Sequence, residues 1–121
     1  MNKKEFLKNK LLVELMKATG KNKAISMAEL YRRVFGRDVS DTIQDTRGLR
    51  KLITELRKEG VPIASTTDKN RGGYYTPVGS ELDEYCKAIR KRALQLLQIE
   101  ARIKGKNLPE VIKDIQLSMG A

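Results

Sequence analysis

The chain has 121 residues, 40% of them apolar and 33% charged. That balance is too apolar for a disordered polypeptide, too polar for a membrane one, and sized for one domain or one domain plus an appended helical element. Lys and Arg total 25 against 15 Asp and Glu, a net charge of +10 that favours a polyanionic partner. With no histidine and one cysteine, zinc fingers, Ser-His triads and histidine metal clusters are excluded, and no catalytic residue, metal or cofactor is expected.

No apolar run approaches a bilayer span, so no membrane contact is expected, and Met1-Asn2-Lys3-Lys4-Glu5 does not open a signal peptide. Cys86 has no second cysteine to pair with, which points to a reducing cytoplasm. The charge is uneven. Residues 1–60 carry 15 basic and 8 acidic groups, whereas residues 80–121 carry 8 and 6.

In chain order, Leu7, Leu11, Leu12, Leu15 and Met16 define one face of a helix from Lys3 to Thr19, stopped by Gly20. Ser26-Met27-Ala28-Glu29 has capping-box spacing and opens a short helix to Phe35, closed by Gly36. A polar connector from Arg37 to Gln44 follows. Leu49, Leu52, Ile53 and Leu56, at i, i+3, i+4 and i+7, then predict a third helix ending at Gly60. Asp45 suits its N-cap, and Asp41 or Thr42 would start it a turn earlier.

After Gly60 the period changes to two. Val61-Pro62-Ile63-Ala64-Ser65 reads as a short strand and Tyr74-Tyr75-Thr76 as its return, with a turn at 66–73 between them. Alternation sends one of the two tyrosine rings inward and the other outward. Ser80-Glu81-Leu82-Asp83 opens a long helix to Lys104. Gly105 and Asn107 break it, and Pro109 begins a last short helix.

Opposite the apolar stripe of the third helix lie Gln44, Arg47, Lys51, Thr54 and Lys58, with Arg50 and Arg57 on the flanks. Arginine forks onto guanine, glutamine pairs with adenine, and lysine or threonine suits phosphates. The candidate DNA-binding residues on this helix are therefore Gln44, Thr46, Arg47, Arg50, Lys51 and Thr54. Lys69, Asn70 and Arg71 make the hairpin tip basic. Gly48 in the third helix fits either close approach to DNA or contact with the second helix.

The run from Asp45 to Ile63, with Gly72-Gly73-Tyr74-Tyr75, resembles the recognition helix and wing of bacterial winged helix-turn-helix repressors, the biotin-repressor and deoxyribose-operon-regulator type. The Val61-Pro62-Ile63-Ala64-Ser65 segment and the long C-terminal helix are also similar to those of small phage and prophage DNA-binding proteins. The resemblance spans about residues 5–79. It implies a mostly α fold with a small β-hairpin, in which a winged helix-turn-helix domain (1–79) precedes a helical extension (80–121). It also implies that the third helix enters the major groove and the wing touches backbone or minor groove. The function it implies is sequence-specific binding of double-stranded DNA as a small transcriptional regulator in the bacterial host cytoplasm. No small-molecule effector is identifiable. The rival reading is a winged-helix adaptor between proteins in phage replication or packaging.

Leu82, Cys86, Ile89, Ala93, Leu96 and Ile103 alternate +4 and +3 along the long helix, a heptad seam interrupted at Glu100. Such a seam either packs back on its own domain or joins a second copy as a homodimer, with Cys86 as a small buried hydrophobe.

Overall fold

A computed structural model describes residues 2–67 and 72–120. The fold is mostly helical with one small antiparallel hairpin. The order is α1 (Lys3–Lys17), a 3-10 turn (Lys21–Lys23), α2 (Met27–Phe35), α3 (Thr42–Lys58), β1 (Ala64–Thr66), β2 (Gly73–Tyr75), α4 (Glu81–Lys104) and α5 (Leu108–Gly120). Two compact units divide the chain, Met1–Leu82 and Asp83–Ala121, so the division falls inside the first turn of α4 rather than before it. No helix among the described residues is long and apolar enough to cross a membrane.

In the first unit the core comes from three apolar helix stripes. Leu11 and Leu15 of α1, Leu30, Tyr31 and Val34 of α2, and Leu49, Leu52, Ile53 and Leu56 of α3 are buried together with Ile25 and Ile63. Met16, placed on the α1 stripe by its spacing, is instead exposed. The α1 face is narrower than its leucine count suggests, with Leu7 and Leu12 only half-buried. Salt bridges from Lys4 to Glu55 (2.9 Å) and from Lys8 to Glu59 (2.7 Å) join α1 to α3 one helical turn apart. Both partners advance by four, so the two helices run in the same direction.

The helix ends are local chemistry. Ser26 caps α2 by accepting from the Glu29 amide, which is half of the predicted box. The Glu29 carboxylate turns forward instead, to Arg32 and Arg33. At the end of α3, Gly60 takes φ 94°, with its N–H donating to the Arg57 carbonyl and that of Val61 to the Leu56 carbonyl. Gly105 ends α4 in the same way, the Lys106 N–H reaching back to Ala101. Both are Schellman endings, in which a left-handed residue satisfies otherwise orphaned carbonyls.

The hairpin registers Ala64 on Tyr75, Ser65 on Tyr74 and Thr66 on Gly73. It begins after Pro62, which has no N–H for a ladder. Its other edge is not free. Tyr74 exchanges both backbone hydrogen bonds with Ile25 at 2.8 Å, and Thr76 bonds Ala18 and Gly20. The segment between α1 and α2 therefore adds a fragmentary third strand that no periodicity announced. Gly73, at φ 146°, passes so close to Ile25 that only a residue without Cβ fits.

Candidate nucleic-acid interface

The third helix begins at Thr42, not after Asp45. Asp41 is its N-cap, with Oδ1 accepting from the amides of Ile43 and Gln44 at 3.1 Å. Asp45 turns back to receive the Asp41 amide at 3.0 Å, and the Ser40 amide and hydroxyl at 2.9 and 3.0 Å. Those donors, the Asp41 amide first, hold its carboxyl below the ordinary aspartate value. Two aspartates thus lock each other into the start of the helix. The connector between α2 and α3 shrinks to Gly36–Asp41.

From that start the outward face of α3 follows at 100° per residue. Gln44, Arg47, Lys51, Thr54 and Lys58 are all exposed on it. Arg50 is exposed on the flank, its guanidinium donating to the Ile43 carbonyl at 3.2 Å, while the Thr54 hydroxyl donates to the Arg50 carbonyl. Thr46 is a correction. It is 3% exposed, on the core side of the helix beside Ile53, so its side chain does not face an approaching duplex. Its polarity suggested the surface, but its methyl group and its angular position place it inside.

Two further side chains differ from the sequence expectation. Ile43 is 66% exposed on this same face, one turn before Arg47. Ending the connector at Gln44 had removed it from the helix, although an apolar side chain there suits a thymine methyl. Arg57 turns inward. Its Nε donates to the Ile63 carbonyl at 2.9 Å and its guanidinium lies 5.8 Å from the Tyr74 ring centre, fastening α3 to the residue before β1 and to β2. Tyr75 is the buried ring of the pair, and Tyr74 is half-buried beneath Arg57.

The electrostatics of the face depend on α1. Glu55 and Glu59, which lie near Lys51 and Lys58 in the sequence, are ion-paired with Lys4 and Lys8. The Lys4 ammonium holds the Glu55 carboxyl below its ordinary value, and Glu59 raises that of Lys8. Among the described residues, Arg47, Lys51 and Lys58 take part in no ion pair. The positive row is therefore left to act on whatever approaches it.

Gly48 sits on the rim of a groove of about 370 Å³ floored by Leu7, Phe35 and Leu52. A Cβ added there would meet the Phe35 ring at 3.9 Å, ordinary contact, so α2 does not demand glycine. Gly48→Ala should stabilise the protein by about 0.5–1 kcal/mol in urea unfolding, because alanine is the better helix former. A loss of duplex affinity in that more stable variant would locate a DNA backbone at Gly48. Unchanged affinity would remove Gly48 from the interface, and a lower midpoint would contradict the packing argument.

The hairpin-tip residues Lys69, Asn70 and Arg71 lie outside the described residues. On α4 the seam side chains are exposed in the single chain: Leu82 at 43%, Ile89 at 49%, Leu96 at 62% and Ile103 at 80%. Cys86 and Ala93 are exposed too, so the expected burial of Cys86 does not hold in one chain. Among the described residues of the second unit, Ala101 and Val111 are the buried ones. No group of three or more potential metal ligands occurs among the described residues. No protein-family model, curated protein sequence or solved structure matches the chain.

Proposed function

We propose that this protein binds double-stranded DNA through the outward face of α3, as a winged helix-turn-helix regulator of phage or prophage type. In this reading it works in the cytoplasm as a homodimer joined through α4. The observation that carries the reading is the exposed row Gln44, Arg47, Lys51, Thr54 and Lys58, with the neighbouring Glu55 and Glu59 ion-paired to α1. A merely solvated helix face would mix its charges, and this one concentrates a single sign beside a glutamine. The order of three helices and a hairpin supports it, as does the strand fragment at Ile25 that clamps β2. The apolar exposure of α4 supports pairing.

Mobility shift with a random duplex pool, followed by selection, tests the reading. Binding should weaken as salt rises, since phosphate neutralisation releases counterions. Arg47→Ala should cost about 1–3 kcal/mol on the selected site and relax preference at one base pair. Replacing Lys69 and Arg71 together should weaken all sequences alike. Failure to retard any duplex at low salt, with the fold intact by circular dichroism, overturns the proposal in favour of a protein adaptor.

A further inference from the structure

The exposed seam of α4 has an internal order that self-pairing alone does not require. Large residues recur every seventh position at Leu82, Ile89, Leu96 and Ile103, while the intervening seam positions are Cys86, Ala93 and Glu100. If two copies paired in parallel and in register, every seam residue would face its own copy. Ala93 against Ala93 leaves a gap at the centre, and Glu100 against Glu100 opposes like charges. An antiparallel pair instead sets each large residue against a small or polar one.

Among the antiparallel registers with six seam layers, only one keeps the flanking charges compatible. It sets Cys86 opposite Ile103 of the second copy, Ile89 opposite Glu100 and Ala93 opposite Leu96, each occurring twice about the two-fold axis. On its flank Asp83 meets Lys104 at both ends. Sliding by one heptad toward the N-terminus retains six layers but sets Arg90 on Arg90 and Arg92 on Arg92. Sliding the other way shortens the overlap. Asp83 and Lys104 are both exposed, their nearest partners being Lys87 and Glu100 on the same helix.

The geometry points to an antiparallel homodimer in which α4 of one chain lies along α4 of the second copy, centred between Leu94 and Gln95. This inference rests on the pairing reading above and adds its direction and register. At 1.5 Å per residue the two Asp83 positions then stand about 35 Å apart, whereas parallel pairing would bring them to about 10 Å.

Disulfide trapping on the full chain tests it, with sedimentation equilibrium run alongside. Under mild oxidation the wild type, with Cys86 alone, should give no covalent dimer. Ile103→Cys should give one through Cys86, and Ile103→Cys combined with Cys86→Ala should not. A spin label at the exposed Leu82→Cys, which lies outside the six layers of this register, in a Cys86→Ala background, should report a separation of about 37 Å and guards against a folding defect at position 103. Ready cross-linking of the wild type, or a label distance of about 10 Å, overturns the antiparallel arrangement while leaving the dimer standing. A dimeric mass with a separation matching neither value overturns the register. A mass of one chain overturns the pairing itself.

Discussion

Replacing Gly73 with alanine is expected to cost about 3–5 kcal/mol, a large fraction of the 5–15 kcal/mol that keeps a domain of this size folded. An added Cβ would stand 2.0 Å from the Ile25 carbonyl oxygen, 2.4 Å from its carbon and 2.8 Å from the Ser26 nitrogen. All three are backbone atoms, so no side-chain rotation relieves the clash. The φ of 146° is itself unfavourable for any residue with a Cβ. Relief requires β2 to leave Ile25, which breaks the paired 2.8 Å hydrogen bonds at Tyr74 and loosens Tyr74 beneath Arg57. Urea unfolding of Gly73→Ala beside Gly48→Ala gives the contrast, since the two changes share their chemistry and should move the midpoint in opposite directions. A Gly73→Ala midpoint within ~1 kcal/mol of wild type would show that the hairpin does not depend on that contact.

Placing aspartate at both Ile89 and Leu96 should dissociate the proposed dimer without unfolding the first unit. Both side chains are exposed in the single chain, so their replacement removes nothing from its own core. In a pair they would be covered, contributing about 1.5–3 kcal/mol each, and the two-fold axis counts each twice. Association entropy consumes part of that gain. Even a net loss of ~4 kcal/mol raises the dissociation constant roughly a thousandfold. Sedimentation equilibrium at tens of micromolar should read a dimer for the wild type and one chain of 13.7 kDa for the variant. Unfolding of the first unit should be unchanged. A wild type that stays at single-chain mass at high micromolar concentration refutes the pairing, and a variant that remains dimeric moves the interface off this seam.

The sequence alone determined what depends on near neighbours. The stops at Gly36, Gly60 and Gly105 follow from near neighbours because a left-handed φ is a local demand that glycine meets, and all three adopt positive φ, whereas α1 ends at Lys17, capped by Ala18 ahead of Gly20. The stripe Leu49, Leu52, Ile53 and Leu56 is buried throughout, because helical period and apolar spacing agree over the whole stretch. The mostly helical fold with one small hairpin followed from those two signals and the change of period after Gly60. Only the tertiary structure decided the rest. Asp41 and Asp45 are equally good caps in isolation, and the bonds from Ser40 and Asp41 to Asp45 select the earlier start. That choice returns Ile43 to the outward face of α3. Thr46 lies inside because its neighbours Leu49 and Ile53 face the core, although its hydroxyl argued for the surface. The pairing of Ile25 with Tyr74 joins residues far apart in the chain, so no window of sequence contains both partners. The heptad spacing of α4 reads alike whether the helix covers its own domain or a second copy. Ile89, Leu96 and Ile103 are exposed, and apolar area left in water is the quantity that the proposed association would remove.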